Sequence, residues 1–285
     1  MREEQPQLQP HEAERFSFRR FARQPFYTEV NARLIQLLGL RPGMRVVDLA
    51  CGTGAVTKLI LSQLEGAKQS VVLAVDASAE ALEIAKRELA GAGSALVRFV
   101  QGRAETLSRA VRQTVGAVDA VVFCNAIHLV EDKARVLREV FESLAPGGAF
   151  AFNTTFFAEA YPEETERFYL RWMARALKLL KRERGLRPTR ERVIARQPLS
   201  TAQYERLLAE QGFAVRREEL DVVEVPLEGW LGISEFSDFI RGALPGVPLA
   251  EGAWALQEAV RQVFEELKLK AVPRRWLQVV AARPS

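Results

Sequence analysis

The chain has 285 residues, 48% of them hydrophobic, and a formal net charge of +4. This composition is typical of a globular protein, and no stretch reaches the roughly 18 consecutive apolar residues of a membrane-spanning helix. The polar, acidic start lacks the pattern of a signal peptide, and two cysteines, Cys51 and Cys124, do not make a disulfide framework. We therefore expect a cytoplasmic protein whose cysteines are buried free thiols.

The positive charge is spread along the chain, because basic and acidic residues are interleaved on helical faces. The densest basic stretch runs from Arg171 to Arg192. It fits a solvated helix surface better than a surface that attracts an anionic substrate or a membrane. We predict no nucleic-acid partner and no metal site, and we leave weak association with a membrane surface and the oligomeric state open.

The first half of the chain alternates between strand and helix patterns. Residues 1–15 are predicted to be mobile, and 16–40 form an aromatic-rich helical region. Predicted strands follow at RVVDLA (45–50), VVLAV (71–75), ALVRFV (95–100), DAVVFC (119–124) and AFAFN (149–153), with amphipathic helices between them and a Pro146-Gly147-Gly148 turn before the fifth. Such alternation favours a parallel sheet with helices on both faces.

The alternation then breaks twice. Residues 156–196 are predicted to form one long amphipathic helix with flanks, and 227–275 a second helical insertion with helices near 233–241 and 250–268. A helix at 200–211, a strand at 214–226 and a last strand at 276–282 resume the pattern. We predict an α/β fold with a seven-stranded, mostly parallel sheet whose last strand is antiparallel, and with helical lid insertions that wall a substrate pocket.

The strongest chemical signal is the segment Asp48-Leu49-Ala50-Cys51-Gly52-Thr53-Gly54, followed by Asp76 at the end of the second predicted strand. The two glycines let the backbone approach a ligand, and the helix behind them offers N–H groups to a carboxylate. An acid that ends the second strand can accept hydrogen bonds from the hydroxyls of a ribose. The pattern indicates a nucleoside-containing cofactor.

Two details separate this loop from a nicotinamide site. Thr57 stands where the dinucleotide fingerprint has a third glycine or an alanine. Asp48 precedes the loop, where it would repel a pyrophosphate but attract an ammonium group. An oxidoreductase is therefore disfavoured, although it stays an alternative.

The motifs DLACGTG, AVDAS, GRAETL and CNAIH resemble the successive motifs of class I S-adenosylmethionine-dependent methyltransferases, over about residues 26–155. The loop and the APGG turn are most similar to the ubiquinone and menaquinone biosynthesis type. The resemblance implies a Rossmann-like fold, S-adenosylmethionine as cofactor with S-adenosylhomocysteine as product, and methyl transfer to a small molecule. It divides the chain into an N-terminal tail and cap (1–40), the cofactor-binding core (41–155), a helical lid (156–196) and the rest of the sheet with its second insertion (197–285).

The resemblance implies these cofactor-binding residues: Tyr27, Asp48, Ala50, Gly52, Thr53, Gly54, Asp76, Ala77, Arg103, Ala104 and Asn125. The loop residues would serve the methionyl end, Asp76 the ribose, and Ala77 and the Ala104 backbone the adenine. Arg103 stands at the position where many relatives have an aspartate. It would stack on the adenine ring or face solvent. Asn125 would lie near the methionyl ammonium. Tyr27 would close over the cofactor or belong to the core.

His128 is the one candidate catalytic residue. It would act as a general base beside the transferred methyl group, or it is a structural histidine, because an in-line displacement can proceed by positioning alone. The insertions and their flanks add nine aromatic residues, which favour a hydrophobic or aromatic acceptor methylated on oxygen or carbon, or else pack on each other: Phe156, Phe157, Tyr161, Tyr169, Trp172, Trp230, Phe236, Phe239 and Trp254.

Two further functions stay open. A nucleic-acid methyltransferase would have an Asn- or Asp-Pro-Pro-aromatic motif where this chain has Asn125-Ala126-Ile127-His128. A cofactor-binding protein without catalytic activity is compatible with the same motifs.

Overall fold

A computed structural model of the chain describes residues 15–65, 69–93, 95–189 and 198–285. The predicted mobile segment 1–15 lies almost wholly outside these residues, as do the end of the basic stretch at Arg192 and the end of the predicted lid. The described residues divide into two compact units. The sheet unit comprises 25–162, 198–224 and 273–285, and the helical unit comprises 15–24, 163–189 and 225–272.

Seven strands form one sheet in the order β3-β2-β1-β4-β5-β7-β6. Their bounds are β1 Arg45–Leu49, β2 Val71–Asp76, β3 Leu96–Gln101, β4 Val118–Cys124, β5 Leu144–Thr154, β6 Ala214–Pro226 and β7 Ala271–Ala282. Strands β1 to β5 pair in parallel, and β7 runs antiparallel to β5. The predicted seven-stranded fold is confirmed.

The inner strands are buried on both faces. Val46 and Val47 on β1, and Val121 and Val122 on β4, are all 0% exposed. Neighbouring residues of a strand point to opposite faces of the sheet, and here both are buried. Each strand is therefore apolar at every position instead of alternating between apolar and polar residues. The strand order reverses beside β1, and in open α/β sheets ligands bind at such a switch point, outside the carboxyl ends of the strands.

The helices of the sheet unit alternate with its strands. They are α2 Pro25–Leu38, α3 Ala55–Gln63, α4 Ala79–Glu88, α5 Leu107–Thr114, α6 Lys133–Ser143 and α8 Thr201–Glu210. The helical unit contains α1 Arg19–Ala22, α7 Glu163–Leu179, α9 Leu227–Ile233, α10 Ser237–Ala243 and α11 Leu249–Leu267. None of the described helices is long and apolar enough to cross a bilayer.

Two local predictions were wrong in their bounds, and a third agrees with the structure. The predicted helix at 233–241 spans the end of α9 and most of α10, because the Glu235 and Phe236 N–H groups donate to carbonyls three residues back, Gly232 and Ile233, and the α-helical bonding is interrupted. The predicted turn at Pro146-Gly147-Gly148 lies within β5, where Gly147 donates to the Arg283 carbonyl. The predicted long helix with flanks is present in the described part of 156–196, where α7 continues into a π-helical turn over Leu180–Arg184 and ends at Gly185.

The aromatic residues of the helical unit form its core. Trp172 and Trp230 are buried with ring centroids 5.3 Å apart, and Phe239 stacks on Trp172 at 5.6 Å. The Trp172 indole N–H donates to the Leu256 carbonyl over 2.8 Å. These rings therefore pack on each other, as one of the two interpretations of the aromatic excess expected.

Candidate functional site

The glycine loop follows β1 and leads into α3. Ala50, Gly52 and Gly54 adopt left-handed backbone conformations with φ of 56°, 54° and 88°. The Cys51 N–H donates to the Val75 carbonyl of the neighbouring strand over 3.1 Å. Gly54 is the N-cap of α3 and supplies no side chain to its first turn, so the helix presents its positive end at the loop.

The surroundings of Gly52 and Gly54 differ, so the absence of a side chain has a different physical consequence at each position. A Cβ on Gly52 would meet nothing within 4 Å, so this position faces open space. A Cβ on Gly54 would lie 2.9 Å from Leu89 Cδ1 and 3.4 Å from Ala85 Cβ. Gly52 therefore has room for a ligand, whereas a larger residue at position 54 would require the Leu89 side chain to shift and would also strain the left-handed backbone. Thr53 lies between them, half-buried.

Asp76 is held by the backbone at the end of β2. The Gly52 N–H donates to Oδ2 over 2.8 Å, and the Ser78 N–H donates to Oδ1 over 2.9 Å. Each oxygen keeps a second lone pair, so the carboxylate can still accept from a vicinal diol. The same contact ties the glycine loop to β2, because β1 and β2 are neighbours.

Asp48 lies under the loop and is 1% exposed. The Thr57 hydroxyl donates to its Oδ2 over 2.6 Å. Burial raises the pKa of the Asp48 carboxyl to about 7, and the nearby charge of Asp76 adds to the rise. A cation bound at this end of the site would favour the ionised form. In the sequence, Thr57 was noted only because it differs from the dinucleotide fingerprint. The hydrogen bond from its hydroxyl to Asp48 was not predicted.

We expect this carboxyl to make the stability of the protein depend on pH. Its pKa is higher in the folded state than the ordinary value of 3.8, so the folded protein binds more protons than the unfolded chain between about pH 4 and 7. The free energy of unfolding should therefore fall across that interval and level off above it. In an Asp48→Asn variant, the free energy of unfolding should fall by a few kcal/mol less than in the wild type over the same pH interval.

Urea unfolding at several pH values checks this result. Glu65→Gln, at an exposed carboxylate, is the matched control and should keep the wild-type slope. Equal pH slopes in wild type and Asp48→Asn would contradict the prediction.

A chain of buried amides positions the end of β4. Asn125 has a φ of 49°, and its N–H donates to both the carbonyl and Oδ1 of Asn153, each over 3.0 Å. Asn153 Nδ2 donates to Asn31 Oδ1, and Asn31 Nδ2 donates to the Tyr27 carbonyl, each over 2.8 Å. Asn31 and Asn153 are 0% exposed, and sequence reasoning missed both.

The Asn125 amide nitrogen is buried and has no hydrogen-bond partner among the described residues. It is thus a donor at the carboxyl end of β4, beside β1. Tyr27 on α2 is 5% exposed, and burial raises the pKa of its phenol. This deep burial favours a core role for the Tyr27 ring over a covering one.

The predicted adenine contacts lie at the ends of β2 and β3. Ala77 is exposed, and its carbonyl accepts from Gln101 Nε2 over 3.2 Å. Arg103 faces solvent and pairs with Glu105 over 3.3 Å, with 74% of its side chain exposed. Ala104 begins a short 3-10 helix, Ala104–Thr106. Of the two predicted roles for Arg103, the solvent-facing one fits the structure.

His128 lies in a 3-10 turn, Ile127–Leu129, directly after β4. Its Nδ1 lies 3.2 Å from the Thr154 hydroxyl, which also accepts from the Phe156 N–H over 3.0 Å. The Phe156 ring stacks on the imidazole with centroids 5.1 Å apart. The ring is therefore oriented by a buried hydroxyl and an aromatic face, and neither partner was predicted from the sequence.

The cysteines take no part in this chemistry. Cys51 and Cys124 are buried free thiols, and burial raises the pKa of both above its ordinary value. A raised pKa disfavours the thiolate, so neither is an activated nucleophile.

These residues meet the requirements of an adenosyl-methionyl cofactor. Asp76 is an oriented carboxylate with a lone pair left on each oxygen, Gly52 borders open space, and Asp48 is a buried acid whose ionised form a cation would favour. The buried Asn125 amide nitrogen adds a donor for a carboxylate. A parallel sheet with these groups at the carboxyl ends of β1, β2 and β4 defines a Rossmann-like protein that binds a nucleoside cofactor.

Comparison with known proteins identifies the family. A family model described as a methyltransferase domain matches residues 40–210. The chain therefore belongs to the methyltransferase-domain family, and its cofactor is S-adenosylmethionine. No curated protein matches the chain. The family match removes the nicotinamide oxidoreductase alternative, but it does not single out the quinone-biosynthesis branch.

Solved structures share the fold at low sequence identity. A protein from Bacillus halodurans assigned as a methyltransferase is 18% identical with a TM-score of 0.56, covering 90% of this chain and 100% of that one. The cyclopropane synthase MmaA2 from Mycobacterium tuberculosis is 16% identical, TM-score 0.57, covering 96% and 98%. A phosphoethanolamine N-methyltransferase of Haemonchus contortus, solved with S-adenosylhomocysteine, is 15% identical, TM-score 0.51, covering 90% and 53%.

Proposed function

We propose that this methyltransferase transfers the methyl group to oxygen or carbon of a small, hydrophobic or aromatic acceptor. The observation that carries the proposal is the oriented pair of His128 and Phe156 beside the proposed cofactor residues, at the end of β4. It combines a group that can accept a proton with an aromatic face. Such a pair suits a phenol, an enol or a quinol.

The cofactor would be held by the residues that the sequence indicated. Asp76 would accept from the ribose hydroxyls, and Ala77 and the backbone of Ala104 would border the adenine, whereas Arg103 faces solvent and is paired with Glu105. At the methionyl end lie Asp48 and Asn125. The residues of the glycine loop complete the site: Ala50, Gly52, Thr53 and Gly54. When bound, S-adenosylmethionine supplies an electrophilic methyl group on a sulfonium centre.

His128 would take the proton that the acceptor loses. Proton uptake at Nε2 requires the hydrogen of the neutral ring to sit on Nδ1, where the Thr154 oxygen can accept it. Since the Phe156 N–H occupies one lone pair of that oxygen, the second is available to Nδ1–H. Thr154 would thus be a positioning residue that selects the tautomer and supports the imidazolium.

The acceptor class is supported by residues of the sheet unit. The rings of Trp172, Trp230 and Phe239 fill the core of the helical unit, so they do not indicate a substrate surface. Phe156 and Tyr161, which follow β5, are only partly buried. Apolar or aromatic acceptors are therefore expected to contact the Phe156 side of His128.

A nucleic-acid acceptor has less support. The basic stretch is partly compensated by acids, because Arg171 and Arg175 on α7 share the carboxylate of Glu266. Arg184 pairs with Glu251 over 2.8 Å and stacks on Trp254. A helix with these ion pairs behaves as a solvated surface.

Variants of the proposed base should separate catalysis from binding. We expect His128→Asn to lower kcat by about 100-fold or more, since general base catalysis contributes roughly 100 to 10,000-fold. Thr154→Val should lower kcat about 10-fold and shift the acid limb of the pH–rate profile, while the Kd of S-adenosylmethionine stays unchanged. Transfer of labelled methyl groups to a panel of phenols, quinols and enolic polyketides measures both.

Thr114→Val is the matched control, because that hydroxyl only donates to the Ala110 carbonyl within α5. A wild-type rate in His128→Asn would show that positioning alone carries the reaction. Transfer to nucleic acid, and to none of the small acceptors, would refute the proposed acceptor class.

A further inference from the structure

Strand β6 is the last strand of the sheet, so one of its two edges has no neighbouring strand among the described residues. It runs over 13 residues, Ala214–Pro226, whereas an average strand has about five or six. Such an edge presents a row of backbone N–H and C=O groups to which another strand can pair. Short length, proline or charged side chains usually protect an edge. The only proline of β6 is its last residue, so the arrangement of its charges decides what can pair there.

The part of β6 that belongs to the sheet unit also exposes apolar surface. Val215 is 37% exposed, Leu220 47% and Val222 63%. Removing apolar surface from water is favourable, so a strand that covered these side chains would be stabilised by them.

Four consecutive charged residues lie in this part of β6, Arg216-Arg217-Glu218-Glu219. Successive side chains of a strand point to opposite faces, so Arg217 and Glu219 share one face, and Arg216 and Glu218 share the other. On the first face, Arg217 pairs with Glu219 over 3.6 Å, and Glu219 also pairs with Arg33 of α2 over 2.8 Å. Arg217 therefore has an acidic partner within its own chain.

The second face lacks this compensation. Arg216 is exposed and forms no ion pair with any residue that the structure describes. Glu218 Oε2 is buried and accepts no hydrogen bond from a described residue. Burial raises the pKa of the Glu218 carboxyl, and the charges of Glu205 and Glu159 add to the rise. A cation beside Glu218 would offset both effects.

We propose that β6 pairs antiparallel with β6 of a second copy of this chain, about a two-fold axis through Arg217. In an antiparallel ladder, residues directly opposite each other point to the same face. With the axis at Arg217, Arg216 of each copy lies opposite Glu218 of the other, so the interface contains two new pairs of opposite charge. The same register sets Ala214 opposite Leu220, and the small alanine side chain leaves room for the exposed leucine.

The other face of the strand is compatible with this register. Arg217 meets Arg217 of the second copy, and like charges directly opposite each other are destabilising. Each arginine, however, keeps its own Glu219 and gains Glu219 of the second copy as a diagonal neighbour, about 7–8 Å away between Cα atoms and within reach of long side chains. A single two-fold register therefore compensates the charges on both faces of both copies, as expected of a symmetric dimer.

Analytical ultracentrifugation of the full chain without S-adenosylmethionine tests the pairing, so the result does not depend on methyl transfer. We expect the wild type to dimerise. Arg216→Glu and Glu218→Arg should each weaken dimerisation by about 10-fold or more, because each variant sets like charges opposite each other. An equimolar mixture of the two variants should associate as the wild type does, because the mixed dimer restores both pairs of opposite charge. Recovery in the mixture also excludes misfolding as the cause of the loss.

Arg98→Glu is the matched control, because Arg98 is an exposed arginine on β3, the strand at the opposite edge of the sheet. This variant should dimerise as the wild type does. A monomeric wild type would overturn the inference, and so would a dimer that neither β6 variant weakens or a mixture that stays monomeric. Equal weakening in Arg98→Glu would overturn it as well, since the effect would then arise from net charge.

Discussion

An Asp76→Asn variant is expected to bind S-adenosylmethionine and S-adenosylhomocysteine about 100-fold more weakly than the wild type. The carboxylate is oriented by the N–H groups of Gly52 and Ser78, which leaves one lone pair on each oxygen for the ribose hydroxyls. Hydrogen bonds to a charged group contribute about 1.5–3 kcal/mol each, and 100-fold corresponds to about 2.7 kcal/mol. An amide keeps the shape but presents one acceptor and loses the charge.

Isothermal titration of both sulfur compounds and of NADH measures this effect. Glu80→Gln is the matched control. Glu80 is an exposed acid at the start of α4, the helix that follows β2, and it accepts from the Ser78 hydroxyl. Wild-type affinity in Asp76→Asn would refute the proposed ribose contact. Binding of NADH, without binding of either sulfur compound, would contradict the assignment of the cofactor.

Substituting the two loop glycines should produce opposite patterns. Gly54→Ala should lower the free energy of unfolding by about 1–3 kcal/mol, because it combines left-handed backbone strain with a shift of the Leu89 side chain. Gly52→Ala should cost only the strain, about 1–2 kcal/mol, and should weaken S-adenosylmethionine binding at least 10-fold, because the new methyl group projects into open space beside Asp76.

Chemical denaturation and titration of the cofactor distinguish the two effects. Gly43→Ala is the control, since Gly43 also has a positive φ, 93°, and nothing within 4 Å of its Cβ, but it lies before β1. It should reproduce the stability loss of Gly52→Ala with unchanged cofactor binding. Equal cofactor affinity in Gly52→Ala and Gly43→Ala would mean that Gly52 does not border the ligand.

Strands β1 to β4 were predicted within one or two residues, whereas β5 and β7 each begin five residues earlier than predicted. VVLAV matches β2, Val71–Asp76, and DAVVFC matches β4, Val118–Cys124. Strands buried on both faces must be apolar throughout, so their pattern survives in the sequence. The insertion helices were placed less well, because α9 and α10 are separated by a short stretch in which backbone bonds tighten to three-residue spacing, and no hydrophobic periodicity records that change.

The class of site follows from the amino-acid sequence alone. Asp48, Gly52 and Asp76 lie in short motifs at the ends of strands. Each motif can be recognised from a few neighbouring residues, because a strand leads through a tight turn directly into a helix. Backbone conformation and the parallel register of β1 and β2 then bring Asp76 to the loop. The motifs of the loop and the acid therefore suffice to indicate a single cofactor site.

The groups that support that site depend instead on tertiary contacts. Thr154 and His128 are 26 residues apart in the chain, and Asn31 and Asn153 are 122 apart, yet each pair is joined by a direct contact. Contacts between helices likewise place the side chains of Trp172, Trp230 and Phe239 in the core of the helical unit. Side-chain contacts between distant segments depend on how helices and strands pack, and that packing is a property of the whole fold rather than of any motif.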